Sequence, residues 1–87
     1  MNISIENNLK KFKDNNIIIE QQGFIESHFK LKNFEYKIEH DILKLYDKNS
    51  ENFITINLNQ IYNTIYEQEK LALYLDNDTI ITLEIKR

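Results

Sequence analysis

The chain has 87 residues, of which 41% are hydrophobic and 29% are charged, and its formal net charge is −3. These values are typical of one globular domain, here residues 1–87, with a thin core; they exclude a disordered chain and disfavour a protein whose main ligand is DNA phosphate. The sequence contains no cysteine, which excludes disulfides, thiolate metal sites and a cysteine nucleophile.

The composition also indicates an origin and a location. Proline is absent, glycine occurs once, and the chain is rich in isoleucine, asparagine, lysine, tyrosine and phenylalanine, whose codons are rich in A and T. We therefore expect a low-GC bacterium or one of its phages as the source. No apolar run approaches the roughly 20 residues that span a bilayer. We expect no membrane segment and a cytoplasmic protein, in the host-cell cytoplasm if a phage encodes it.

Residues 4–14 predict a short amphipathic helix. Ser4 is a suitable N-cap, and Ile5, Leu9 and Phe12 form one apolar stripe at helical spacing. An isolated helix of this length is unstable in water. We therefore expect it to pack on a sheet.

Residues 17–46 predict a buried strand followed by a hairpin. Consecutive isoleucines from residue 17 form the strand, and Gly23 marks a turn or a bulge. A two-residue turn at residues 32–33 then keeps four apolar side chains on one face. The predicted pairs are Leu31–Phe34 and Phe29–Tyr36. The same register places His28 and His40 on opposite faces and so predicts no shared metal ion.

Residues 43–58 predict another hairpin, with a two-residue loop at Asn49 and Ser50. Charge, aromatic and aliphatic pairing agree on one register. The predicted pairs are Lys48–Glu51, Tyr46–Phe53, Leu45–Ile54 and Leu43–Ile56.

Residues 59–70 allow two interpretations. Isoleucines spaced by four indicate a helical turn, whereas the spacing of the tyrosines indicates a strand that ends in a tight, charged turn. We favour the strand.

The strongest pattern lies in residues 71–85. Apolar residues alternate on both sides of a polar turn, as in a hairpin with one buried face. A loop with an odd number of residues keeps all the apolar side chains on that face, and Asn77, Asp78 and Thr79 form the simplest. The predicted pairs are Leu75–Ile81, Leu73–Leu83 and Leu71–Ile85.

Together these elements predict an α+β fold. A short N-terminal helix packs on a mostly antiparallel meander sheet or small barrel, with about five or six strands between residues 17 and 86.

The sequence predicts a protein without catalytic activity, cofactor or metal. The serines lie in no triad context, and acidic pairs such as Glu39 with Asp41 lack a pocket that would separate their pKa values. A domain of this size also has little interior for a desolvated cleft.

Tyrosines and glutamates in the second half of the chain form a candidate protein-binding surface, because tyrosine is enriched at interfaces. Its residues are Tyr62, Tyr66, Glu67, Glu69 and Tyr74. Residues 80–87 are expected to offer an open sheet edge for a homodimer, guarded by Lys86 and Arg87.

The leading hypothesis is therefore a non-catalytic module that binds another protein, in one concrete form a phage or mobile-element inhibitor of a host defence protein. The alternative is a domain that binds single-stranded nucleic acid, in which aromatic rings stack bases and lysines hold the backbone. The face for this alternative comprises Lys30, Lys32, Tyr36, Lys37 and Lys44. Interleaved carboxylates and the negative net charge make it the weaker hypothesis.

Overall fold

A computed structural model describes the chain from Ile3 to Lys86, with side chains from Ile5 onward, and shows an α+β fold. The helix α1 (Ile3–Leu9) continues as a 3-10 turn (Lys10–Phe12). The strands are β1 (Ile17–Gln22), β2 (Ser27–Leu31), β3 (Phe34–Glu39), β4 (Ile42–Asp47), β5 (Phe53–Asn57), β6 (Ile61–Glu67), β7 (Lys70–Leu75) and β8 (Ile80–Ile85).

The strands form two antiparallel sheets. One has five strands in the order β2-β1-β8-β7-β6, and the other has three in the order β3-β4-β5. Both sheets and α1 contribute side chains to one buried core. The α+β prediction is confirmed. The strands are more numerous than predicted, and within the described residues the two sheets form neither a single meander nor a closed barrel.

The helix packs on the core through the predicted stripe, since Ile5, Leu9 and Phe12 are all buried. The Phe12 ring meets Phe34 of β3 edge-on, with ring centroids 6.4 Å apart. α1 begins one residue before the predicted cap, so Ser4 is a helical residue rather than the N-cap. The Ser4 side chain itself lies outside the described residues.

β7 and β8 form the predicted hairpin and bury the predicted face, but the register differs. Leu73 pairs with Ile81, two residues away from its predicted partner. The loop is residues 76–78, and its last residue, Asp78, has a φ of 63°. Aspartate tolerates this left-handed conformation, whereas the β-branched Thr79 of the predicted loop does not. The pairs Leu75–Ile81, Leu73–Leu83 and Leu71–Ile85 are therefore wrong.

β4 and β5 pair in the predicted register, with Tyr46–Phe53, Leu45–Ile54 and Leu43–Ile56 as observed pairs. The predicted Lys48–Glu51 pair is wrong. Lys48 instead forms an ion pair with Asp14, next to the 3-10 turn that follows α1.

The hairpin predicted between β2 and β3 does not exist. β2 pairs with β1 and β3 pairs with β4, so the predicted pairs of Leu31 with Phe34 and Phe29 with Tyr36 are wrong. The chain crosses from one sheet to the other at residues 32–33. Alternation shows which side chains face a core, but two strands on opposite sides of a core show the same alternation as two paired strands.

Two further hairpins close through two-residue turns without glycine. In the β3–β4 turn, φ is 51° at His40 and 65° at Asp41. In the β6–β7 turn, φ is 51° at Gln68 and 63° at Glu69. Such turns match the right-handed twist of the strands that they join. The strand and tight turn predicted in residues 59–70 are confirmed, and a 3-10 turn (Leu58–Gln60) precedes the strand.

The last strand does not form a sheet edge. β8 lies between β1 and β7, because the isoleucine-rich β1 pairs with it. The open edge predicted at residues 80–87 is therefore wrong, and Arg87 lies outside the described residues. The edges of the larger sheet are β2 and β6. Among the described residues, no helix combines the length and the apolar character that crossing a bilayer requires.

Candidate functional site

The five-stranded sheet carries a groove of about 390 Å³ on the face that points away from the core. We call it the outer groove. Its lining combines apolar side chains with charged ones, because alternate residues of each strand point outward. The lining includes Glu20, Ile65, Glu67, Lys70, Tyr74 and Ile80.

Two of the predicted tyrosines meet beside this groove. Tyr74 points away from its buried neighbours Leu73 and Leu75, and its ring centroid lies 6.4 Å from that of Tyr62. The register of β6 against β7 shifts between Ile61 and Asn63, and this bulge places Tyr62 on the outer face. Tyr62 remains 70% exposed.

Tyr66 lies on the other face of β6. Its ring meets that of Phe12 edge-on at 6.1 Å, and the Lys11 ammonium lies 4.3 Å from the ring centroid. Tyr62 and Tyr66 would share a face in a regular strand, and the bulge separates them. The structure therefore brings together Tyr62 and Tyr74 and leaves Tyr66 at the margin of the core.

The two predicted glutamates differ in position. Glu67 lines the outer groove and pairs in register with Lys70 across the hairpin. Glu69 belongs to the turn, where its backbone carbonyl accepts a hydrogen bond from the Ile85 N–H at 3.2 Å. Only Glu67 of the two lines the groove.

The outer groove also contains aliphatic residues that the sequence reasoning did not include. Ile65 stands opposite Ala72 and is 44% exposed, and Ile80 is half-buried nearby. Ile65 points outward because Thr64 and Tyr66, which pair with the buried Leu73 and Leu71, point inward. The prediction placed Tyr66 on the binding surface and therefore missed Ile65, since the bulge that separates Tyr62 from Tyr66 leaves no local signal in the sequence.

A second surface lies on the outer face of the three-stranded sheet. The Lys44 ammonium is 4.8 Å from the ring centroid of Phe53 and 5.3 Å from that of Tyr46. Lys37 stands opposite Lys44 on the neighbouring strand and forms an ion pair of 3.4 Å with Glu39.

Lys30 extends this surface from the other sheet. It lines a groove of about 300 Å³ together with Phe29, Asn52 and Phe53. We call the set Lys30, Lys37, Lys44, Tyr46 and Phe53 the aromatic–lysine surface.

The remaining residues of the predicted nucleic-acid face lie elsewhere. Tyr36 pairs with the buried Leu45, so its ring lies on the core side of β3, whereas Lys37 lies on the outer side. Burial raises the pKa of the Tyr36 phenol, and the carboxylates of Glu6 and Glu35 raise it further. Lys32 is exposed at the crossing between the sheets.

The two histidines are placed differently from the prediction. His28 pairs with Glu20 in the larger sheet, and His40 occupies the turn between β3 and β4. The prediction that they lie on opposite faces of one hairpin is therefore wrong, because β2 and β3 do not pair. Within the described part of the chain, no group of three or more histidine, aspartate or glutamate side chains is arranged to hold a metal ion.

Comparison of this chain with protein-family models, with curated proteins and with solved structures finds no match.

Proposed function

We propose that the protein acts by binding another protein, without catalysis, through the outer groove. The observation that carries this proposal is the exposed apolar surface on the side of the sheet away from the core, formed by Tyr62, Ile65 and Tyr74. Tyrosines around an aliphatic centre, with charged groups at the rim, have the composition of a protein interface.

The charged groups of the groove favour recognition over acid–base chemistry. Glu67 and Lys70 are exposed to solvent, whereas general acids and bases are usually desolvated. Exposed rim charges steer a partner and set its orientation.

In its concrete form, the proposal is a phage or mobile-element inhibitor that covers a functional site on a host defence protein in the host cytoplasm. It is supported by the small size, the net charge of −3 and the composition typical of A/T-rich genes.

The test is affinity capture from the lysate of a low-GC bacterium, followed by measurement of the dissociation constant of any stoichiometric partner. Ile65→Arg should weaken binding by at least about tenfold, because it places a charge in the apolar centre. Ile42→Arg is the matched control, since Ile42 is 39% exposed, close to the 44% of Ile65, but lies on the other sheet. Equal affinity of the two variants, or no stoichiometric partner, would contradict the proposal.

A second candidate function is binding of single-stranded nucleic acid by the aromatic–lysine surface. It is favoured by the contact of the Lys44 ammonium with Phe53, which is 58% exposed. An exposed ring beside a cation suits a stacked base with its phosphate.

Fluorescence anisotropy with a labelled oligonucleotide tests this candidate. Phe53→Ala and Lys44→Glu should weaken binding, and the affinity should fall as salt rises. Tyr36→Phe is the control, because Tyr36 points away from the surface. The absence of binding at low salt would dismiss the candidate.

A further inference from the structure

The edge strand β2 has one free side. Within the described residues it pairs only with β1, through a regular register that includes all of its residues. The opposite edge of the same sheet, β6, carries the bulge at Tyr62, a feature that discourages further pairing. β2 is therefore the more regular edge of this sheet and the better template for another strand.

The loop that leads into β2 presents two exposed apolar side chains. Phe24 is 98% exposed and Ile25 is 62% exposed. The loop begins at Gly23, which has a φ of 147° and packs closely against the β7–β8 loop. A Cβ added at Gly23 would lie 2.9 Å from the carbonyl oxygen of Asp78. Large apolar groups held in water are costly, and covering them favours association.

Charges on this edge are complementary to those of a second copy. Glu26 and Lys30 are separated by four positions, with His28 midway between them. In an antiparallel pair centred on His28, Glu26 of each copy stands opposite Lys30 of the other. The two contacts are equivalent, as a twofold interface requires.

We propose that two copies of this chain associate through antiparallel pairing of their β2 strands, centred on His28. The segment that pairs with the second copy begins at Phe24 and ends at Lys32, whose N–H already donates to the Asp47 carboxylate at 3.0 Å. His28 is the midpoint of this segment.

The same arrangement covers exposed apolar surface on both copies. Residues 24–25 of one copy reach the far end of β2 of the other. There they lie beside the groove of about 300 Å³ formed by Phe29, Lys30, Asn52 and Phe53. Because adjacent strand residues point to opposite faces, the partner covers Phe24 and Ile25 on different faces of the paired strands. The pairing goes beyond the proposed function, since Ile65 of the outer groove lies on β6, at the other edge of the sheet.

Sedimentation equilibrium of the full chain over a wide concentration range tests the association. We expect a reversible species with twice the 10.5 kDa mass of one chain. The double variant Phe24→Ser with Ile25→Ser should raise the dissociation constant by at least about tenfold. Ile65→Ser, an exposed apolar substitution at the other edge, should leave it unchanged. A monomer at all concentrations, or a dimer insensitive to the loop variant, overturns the proposal.

Charge reversal tests the register. Glu26→Lys and Lys30→Glu should each weaken the dimer, and the two together should restore it. Failure of the double variant to restore it rules out this register.

A covalent trap tests the twofold centre. Facing residues of an antiparallel pair lie close enough for a disulfide, and the native chain contains no cysteine. His28→Cys should form an oxidised dimer much faster than Ile65→Cys. Equal rates for the two variants would overturn the proposed centre.

Discussion

The Tyr36 side chain is half-buried in β3, on the face that packs against the core. Its pKa lies above the ordinary value of 10.0, first because burial removes hydration from the phenolate and second because Glu6 and Glu35 repel the negative charge. The folded chain therefore keeps this proton at a pH at which the unfolded chain releases it.

This difference predicts a loss of stability in alkali that depends on Tyr36. A group whose pKa is raised by folding contributes stability below its unfolded pKa, and that contribution disappears as the pH rises through the folded value. Tyr36→Phe has no proton to lose. Its free energy of unfolding should therefore decline less than that of the native chain between about pH 9 and about pH 11.

Urea unfolding at a series of pH values measures this difference. Tyr62→Phe is the matched control, because it makes the same substitution at a tyrosine that is 70% exposed. Parallel pH profiles for Tyr36→Phe and the native chain would contradict the argument.

At the scale of elements, the hairpins differ in how completely their residues specify them. The β4–β5 register follows from the sequence, because its aromatic and aliphatic pairs agree, although the predicted charge pair at the turn does not form. In β7–β8 the buried face follows from alternation, but the register depends on which loop residue takes the left-handed conformation. That residue is Asp78.

The left-handed conformation of Asp78 in the β7–β8 loop indicates where a substitution should stabilise the protein. Asp78→Gly should relieve the left-handed strain at a φ of 63°. The net gain should be about 0.5 kcal/mol, since relief of strain exceeds the entropy that glycine adds to the unfolded chain. Asn77→Gly, within the same loop but not at a positive φ, should be neutral or destabilising. Thermal or urea unfolding of both variants decides the matter, and destabilisation by Asp78→Gly would contradict the assigned conformation.

The parts of the fold and site that sequence reasoning missed share a physical cause. Strands β2 and β3 both bury alternate residues, yet they belong to different sheets around one core. Alternation within each strand carries no information about the strand beside it. A bulge likewise leaves no local signature in the residues around Tyr62, and it reverses the face of every residue that precedes it in the strand.

At the scale of the whole molecule, the two sheets are joined where the chain crosses between them. The buried Asp47 carboxylate accepts the Lys32 N–H at 3.0 Å and the Asn49 N–H at 2.8 Å. The Lys48 N–H donates to the Asn33 carbonyl at 3.2 Å. The crossing and the β4–β5 turn are thus held by one set of hydrogen bonds.

An ion pair reinforces the same junction from outside. The Lys48 ammonium lowers the pKa of the Asp14 carboxyl, chiefly through their hydrogen bond and then through charge attraction. Both groups are exposed, so solvent screens this pair and it contributes little to stability. The buried Asp47 carboxylate therefore makes the larger contribution of the two to the stability of this junction.

Asp47→Ala should accordingly destabilise the whole molecule. The substitution leaves two backbone N–H groups without their charged acceptor, at a cost of roughly 2–3 kcal/mol in the free energy of unfolding. Glu51→Ala, which removes an exposed carboxylate from the same turn, should change stability by less than about 0.5 kcal/mol. Urea unfolding followed by circular dichroism and by tyrosine fluorescence measures both variants. Because the sheets share one core, the two signals should still coincide in Asp47→Ala; separate transitions would show that this junction, rather than the shared core, makes the sheets unfold together.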